Sequence, residues 1–124
     1  MCKYIIEGGR KLHGEIAVEG SKNAVLPILA ATVINGGENI IHNCPNLRDV
    51  NIMLEVLEEL GCKVMRDNDT VIINSSEMKS HEIPTEMAAE LRSSIIFLGP
   101  VLAKMGKVTI SYPGGCEMLL AKMQ

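Results

Sequence analysis

The sequence predicts an α/β protein in which short strands and helices alternate along one chain. Its length of 124 residues is typical of a single domain. Short apolar runs bounded by glycine, proline or asparagine indicate strands, and apolar residues at helical spacing indicate the helices between them. The predicted order is strand, helix, strand, helix, hairpin, helix, strand. This is one β-α-β-α-β-β unit and the opening of a second, about one and a half repeat units.

The composition narrows the classes of function. Apolar residues make up 47% of the chain and charged residues 22%, which is typical of a folded globular protein. Aromatic residues reach only 2% and the net charge is −3, so stacking on bases and attraction to a phosphate backbone are both disfavoured. No apolar run approaches the roughly 18 residues of a membrane span, and no secretory signal is recognisable. We therefore expect a cytoplasmic protein without nucleic-acid or membrane partners.

The first predicted elements are a short apolar segment at residues 4–6 and a strand at residues 14–19, where Ile16 and Val18 alternate with polar or small neighbours. Residues 22–34 are apolar on nearly all sides and predict a deeply buried helix. Ser21 is its expected N-cap, and Pro27 is expected to kink it near the second turn.

The next elements are a strand at residues 39–43, a helix and a hairpin. Asn46 is the expected N-cap of the helix, with Asp49 in a capping-box position and Gly61 at the end. Its core face is predicted from the spacing of five apolar residues: Val50, Met53, Leu54, Leu57 and Leu60. The hairpin strands are expected at residues 63–66 and 70–74.

The last predicted elements are a loop at residues 75–84, a third helix and a strand at residues 107–111. Thr85 is the expected N-cap of this helix, and Gly99-Pro100 is expected to bend or break it.

The four cysteines, Cys2, Cys44, Cys62 and Cys116, include no C-x-x-C pair. In a reducing compartment this pattern predicts free thiols and neither disulfides nor a zinc site. The three histidines lack the spacing of metal ligands, and we assign them no function. No metal or cofactor is expected.

The segment that contains Lys22 and Asn23 could bind an anion. A glycine turn leads into a helix start there, and the first backbone N–H groups of a helix carry the positive end of its dipole. A lysine and an asparagine add a charge and amide donors. The alternative is a capped helix that begins with a solvated lysine, because the segment matches no P-loop or dinucleotide fingerprint.

Two further residues could carry chemistry. Cys116 follows Pro113-Gly114-Gly115 after a strand, so its thiol could serve as a proton donor or, once ionised, as a nucleophile. Arg92 lies beside the apolar face of the third helix, where it could reach an anionic ligand. The alternatives are a turn that ends in cysteine and a solvated surface arginine.

Read together, these segments identify a family. The chain resembles the amino-terminal part of the UDP-N-acetylglucosamine enolpyruvyl transferases (1-carboxyvinyltransferases) from residue 1 to about residue 117, roughly the first third of a member. The resemblance rests on SKNAVLP (21–27), NLRDV (46–50), LGCKV (60–64), LRSSI (91–95), LGP (98–100) and PGGC (113–116). It implies the inside-out α/β barrel fold of that family, present here as a partial domain over residues 1–124.

The resemblance also implies a reaction. Family members transfer the enolpyruvyl group of phosphoenolpyruvate to the 3′-hydroxyl of UDP-N-acetylglucosamine, the first committed step of peptidoglycan synthesis, and release phosphate. Lys22 and Asn23 match the phosphoenolpyruvate-binding pair, and Lys22 is also expected to act in catalysis. Arg92 matches a residue that contacts the UDP-sugar. Cys116 matches the catalytic general acid, which is also the thiol that fosfomycin alkylates.

The sequence departs from the family after Cys116. The family continues with an Ile-Gly-x-Arg-Pro-x-Asp-x-His run, whereas here Ala121 stands in place of the arginine. This departure predicts a truncated or frame-shifted product, inactive alone, with a complementing C-terminal part as a candidate partner. The alternatives are a non-catalytic remnant or interaction module, and the sister transferase that acts on shikimate 3-phosphate. Asn23 and Cys116 argue against the sister transferase.

Overall fold

A computed structural model describes residues 2–111 and 118–122. Its helices are α1 (Lys22–Ala31), α2 (Arg48–Glu59), α3 (Thr85–Glu90), a 3₁₀ helix (Arg92–Phe97) and α4 (Leu98–Met105). Its strands are β1 (Glu38–Ile41), β2 (Lys63–Asp67), β3 (Thr70–Asn74), β4 (Lys107–Ser111) and β5 (Met118–Lys122). In the described ranges, no helix is long and apolar enough to cross a membrane.

A three-stranded antiparallel sheet forms one layer of the protein, in the order β1-β3-β2. The predicted hairpin is confirmed, and Asn68 begins its turn with a positive φ of 54°. Along β3, Val71 and Ile73 are fully buried and alternate with half-buried neighbours. One face of the sheet therefore packs on the helices, as strand periodicity requires.

The strand predicted at residues 14–19 is wrong. Residues 2–20 form neither helix nor strand, and their large apolar side chains, among them Tyr4, Ile16 and Val18, are more than 80% exposed. Residue types alternate as in a strand, but a strand exists only when another strand accepts its backbone hydrogen bonds. Within the described residues, no strand pairs with this segment.

Helix α1 is shorter and less buried than predicted. Ser21 is confirmed as its N-cap, and Thr32 ends it, so residues 32–34 form a turn. One face is buried through Val25, Leu26, Leu29 and Ala30, while Ile28 is half exposed. Deep burial on all sides was therefore wrong, because the described part of the chain covers only one side of this apolar helix.

Helix α2 has the predicted core face and a different N-terminus. Leu47 is the N-cap and supplies no side-chain hydrogen bond, whereas Asn46 accepts a hydrogen bond from the side chain of Asn51 at 3.1 Å. The capping box was therefore wrong. All five predicted core residues are buried, and Gly61 ends the helix with a φ of +102°. Ile52 and Val56 add to the buried face.

The third predicted helix is broken at a different place. Leu91 adopts an extended conformation between α3 and the 3₁₀ helix, and Pro84, not Thr85, is the N-cap of α3. Gly99 and Pro100 were expected to break the helix but lie in the first turn of α4. Proline is tolerated there because the first N–H groups of a helix have no partner within the helix.

The C-terminal part of the chain forms a second, two-stranded sheet. Strand β4 has the predicted bounds and pairs antiparallel with β5, from Lys107 opposite Lys122 to Ser111 opposite Met118. Strand β5 was not predicted, since residues 117–124 were noted only for their departure from the family. Val108 and Ile110 of β4 are fully buried.

The described cysteines are free thiols, as predicted. Cys44 and Cys62 are buried, and Cys2 is exposed. Burial raises the pKa of the Cys62 thiol to about 11. Burial also raises the pKa of Cys44, although the nearby Arg66 opposes that rise. Both buried thiols are therefore neutral near pH 7 and serve as small core residues.

A matched pair of valine substitutions tests this architecture. Val71→Ala removes two buried methyl groups and is expected to lower the free energy of unfolding by about 2 kcal/mol. Val18→Ala, in the predicted strand that does not form, is expected to change it by less than about 0.5 kcal/mol. Urea unfolding monitored by circular dichroism measures both. Equal losses would contradict the exposed position of residues 2–19.

Candidate functional site

The starts of helices α1 and α2 meet at an ion pair. The Nζ atom of Lys22, the first residue of α1, lies 3.1 Å from Oδ2 of Asp49, the second residue of α2. The two helices pack against each other, and the side chains are 45% and 34% exposed. A helix N-terminus carries partial positive charge, and two such termini meet here beside a lysine. The arrangement favours anions.

The cap of α1 leaves backbone donors available near Lys22. The Ser21 side chain accepts a hydrogen bond from the Ala24 N–H at 3.4 Å, and the Ser21 carbonyl accepts from Val25. The N–H groups of Lys22 and Asn23 precede the first helical hydrogen bond, so the helix itself supplies them no acceptor. Pro27 also removes the helical hydrogen bond that residue 27 would donate to the Asn23 carbonyl. Lys22 and Asn23 are both exposed.

Glycine is required just before this site. A Cβ atom at Gly20 would overlap the carbonyl oxygen of Asn43 and would lie 3.3 Å from Cδ of Pro45. The chain that enters α1 therefore runs directly against the chain that leads to α2. This contact sets the two helix starts side by side.

Arg66 ties the same segment to the hairpin. Its Nη2 donates to the Cys44 carbonyl at 2.8 Å, and its Nε donates to the Asn68 carbonyl at 3.0 Å. The Cys44 N–H donates to the carbonyl of Asp69 at 2.7 Å. The turn between β2 and β3 therefore holds residues 43–45, which in turn abut Gly20.

An open cavity of about 490 Å³ lies beside this contact. It is lined by residues 17–20 and 43–46 and by Arg66, Asn68 and Asp69. Nη1 of Arg66 is buried and has no hydrogen-bond partner among the described residues. Lys22 and Asn23 are not part of the lining, so the cavity adjoins the anion-favouring helix starts without containing them.

The predicted substrate residue Arg92 is only partly located. It is the first residue of the 3₁₀ helix, which packs against α1, but its side chain lies outside what the structure describes. Close by in sequence, Glu90 forms an ion pair with Arg48 of α2 at 3.6 Å. The backbone of Arg92 therefore belongs to an element that contacts the helix carrying Lys22 and Asn23.

The predicted catalytic residue Cys116 lies outside the described residues, which omit 112–117. Its segment connects β4 to β5 along the chain. The role of Cys116 as a general acid therefore stays a prediction.

Sequence reasoning missed three residues that shape this site: Gly20, Asp49 as an ion-pair partner, and Arg66. Gly20 was predicted as a turn into the helix start, but no sequence signal indicates which backbone it approaches. Asp49 lies 27 positions from Lys22, so no helical or strand periodicity links them. In residues 2–111 and 118–122, no group of three or more His, Cys, Asp and Glu side chains could hold a metal ion.

Comparison with known proteins decides the family. The family model described as EPSP synthase (3-phosphoshikimate 1-carboxyvinyltransferase) matches residues 6–119. The chain belongs to this family. The fold predicted from the resemblance is also confirmed: the enolpyruvyl transferase NikO from Streptomyces tendae aligns with a TM-score of 0.74. That alignment, at 22% identity, covers 84% of this family member and 24% of NikO.

Two of its sequence relatives carry the same enzyme name. The UDP-N-acetylglucosamine 1-carboxyvinyltransferase 2 of Caldanaerobacter subterraneus subsp. tengcongensis is 46% identical over 118 residues, which are 95% of this family member. The UDP-N-acetylglucosamine 1-carboxyvinyltransferase 1 of Symbiobacterium thermophilum is 44% identical over 121 residues. The chain spans 28% and 27% of the lengths of these two relatives.

A pair of glycine substitutions tests the contact that sets the site. Gly20→Ala places a methyl group against the Asn43 carbonyl and is expected to lower the free energy of unfolding by about 1–3 kcal/mol. It should also shift the amide NMR signals of residues 21–24. Gly8→Ala is the control, since nothing lies within 4 Å of its Cβ position. If the two variants behave alike, the close approach of Gly20 to Asn43 is refuted.

Proposed function

We propose that this chain supplies part of the active site of a UDP-N-acetylglucosamine 1-carboxyvinyltransferase. The reaction transfers the enolpyruvyl group of phosphoenolpyruvate to the 3′-hydroxyl of UDP-N-acetylglucosamine and releases phosphate, the first committed step of peptidoglycan synthesis. Identity of 44–46% to relatives with that name, over nearly the whole chain, supports this reaction. We also propose a cytoplasmic location and the role as a fosfomycin target that the family resemblance implies. It also treats residues 1–124 as a partial domain of about one and a half repeat units.

The contact made by Lys22 is the observation that supports binding of phosphoenolpyruvate at this site. Its ammonium group holds a carboxylate oxygen at 3.1 Å where two helices begin. Phosphoenolpyruvate carries a phosphate and a carboxylate, and both are acceptors for such a donor set. Lys22 and Asn23 are therefore proposed to bind this substrate, and the ammonium group of Lys22 is proposed to neutralise the phosphate as it leaves.

The remaining roles follow the family pattern as proposals. The 3′-hydroxyl oxygen of the sugar attacks C2 of phosphoenolpyruvate and gives up its proton to a base, while the thiol of Cys116 gives a proton to the methylene carbon and becomes a thiolate. The product is a tetrahedral ketal that still carries the phosphate. A base then takes a proton from the new methyl group as phosphate departs, which restores the double bond, and Cys116 regains its proton for the next cycle. Arg92 is proposed to contact the UDP-sugar.

Two other functions remain to be compared with this one. Transfer to shikimate 3-phosphate is favoured by the description of the matching family model. The residues Asn23 and Cys116 and the names of the relatives argue against it. A non-catalytic interaction module is favoured by exposed apolar side chains on α1 and the outer sheet face, such as Ile28, Ile40 and Met65. Binding of phosphoenolpyruvate discriminates the module from both enzymes, and the acceptor substrate discriminates the two enzymes.

Substitution of Lys22 tests substrate binding. Titration of the ¹⁵N-labelled chain with phosphoenolpyruvate is expected to shift the amide signals of residues 21–24. Lys22→Met is expected to weaken this binding about tenfold or more, because it removes a charge-assisted hydrogen bond. Lys63→Met is the control, since Lys63 is an exposed lysine of β2 that pairs with Glu77. If the two variants bind phosphoenolpyruvate with equal affinity, Lys22 is not part of the binding site.

Turnover is expected to be absent in the 124-residue chain. Catalysis needs reacting groups held in place and water excluded, and the chain spans about 28% of the length of its relatives. Phosphate release in the presence of both substrates, measured against a Cys116→Ser variant, is expected to equal the background. Release by the unsubstituted chain that depends on Cys116 would contradict this expectation and would support a complete active site.

A further inference from the structure

We infer that Asp49 is the internal counter-ion of the anion site, and that an incoming phosphate group displaces its carboxylate from Lys22. The inference rests on the proposed function, because it concerns the same lysine. It goes beyond that function by assigning a role to a residue that the family resemblance leaves without one.

The ion pair occupies the position that an anionic ligand needs. The Asp49 carboxylate accepts a hydrogen bond from the Lys22 ammonium at 3.1 Å, which is the contact a phosphate oxygen would make. Both side chains remain accessible to solvent, with 45% and 34% of their area exposed. A ligand can therefore reach the ammonium group without any rearrangement of the core.

The charges around the ion pair identify Asp49 as the group that competes with an anionic ligand for Lys22. Helix α1 has no acidic residue in its first turn, and Asp49 is the acidic residue in the first turn of α2. The neighbouring Arg48 forms an ion pair at 3.6 Å with Glu90, the last residue of α3. Among the described residues, Asp49 is therefore the carboxylate that contacts Lys22 where the two helices begin.

Displacement is favourable because the internal pair is weak and the ligand is a stronger partner. Solvent-exposed ion pairs contribute little, since water and salt screen them. A phosphate group carries up to two negative charges and three acceptor oxygens, so it can bind the ammonium and backbone N–H groups together. Asp49 lowers the affinity in two ways: it occupies Lys22, and it repels the incoming anion.

Removal of the Asp49 charge is therefore expected to strengthen anion binding. Phosphoenolpyruvate and inorganic phosphate are titrated separately into ¹⁵N-labelled chains, and the dissociation constants are read from the amide signals of residues 21–24. Asp49→Asn is expected to bind both anions about three- to tenfold more tightly than the unsubstituted chain. Asp49→Glu retains the charge and is expected to stay within about twofold.

Glu77→Gln is the matched control. Glu77 pairs with Lys63 at 3.3 Å, so this variant removes one carboxylate from a lysine ion pair elsewhere and changes the net charge by the same amount. Its affinity is expected to equal that of the unsubstituted chain. Equal or weaker anion binding by Asp49→Asn overturns the inference, and weaker binding would mean that Asp49 supports Lys22.

A second measurement separates this inference from the proposed function. If neither anion binds the unsubstituted chain or Asp49→Asn, the proposed function fails. The rate at which acetic anhydride acylates Lys22, read by peptide mass spectrometry against Lys63, then decides the state of the ion pair. If Lys22 is acylated several-fold faster in Asp49→Asn than in the unsubstituted chain, Asp49 is supported as the counter-ion of Lys22. An unchanged rate overturns the inference.

Discussion

The close approach of Gly20 to the carbonyl of Asn43 determines where the candidate site lies. Only a residue without a Cβ allows the chain entering α1 to run against the chain that leads into α2. Arg66 and the hairpin turn hold this second chain from its other side. The helix starts are consequently fixed next to each other, so Lys22 and Asp49 meet although they belong to different helices. The chemistry of the site thus depends on a backbone contact and not on a local motif.

The same packing leaves apolar surface uncovered. The core joins the inner face of the three-stranded sheet to α1, α2 and the 3₁₀ helix. On the other side of α1, Ile28 is half exposed, and on the outer face of the sheet Met65 and Ile40 flank Ile72. Exposed apolar patches of this kind are typical of interaction surfaces. The chain spans 28% of the relative from Caldanaerobacter.

Local signals predicted the elements whose partners are near in sequence. The hairpin at residues 63–74 and the core face of α2 were predicted because strand alternation, helical spacing and turn residues all agree there. The Ser21 cap was predicted for the same reason, since it involves only three residues of separation. The strand at residues 14–19 and the bend or break at Gly99-Pro100 were wrong. Alternation does not supply a pairing strand, and proline is permitted in the first turn of α4.

By itself, the sequence determined the α/β class, the family and the residue types of the candidate site. These follow from patterns that act over a few residues and from motifs whose order can be read directly. Only the tertiary structure decided that Asp49 faces Lys22, that Gly20 abuts Asn43 and that one side of α1 is exposed. Each of these depends on segments distant along the chain. Their meeting is set by the packing of the whole molecule, which no local pattern encodes.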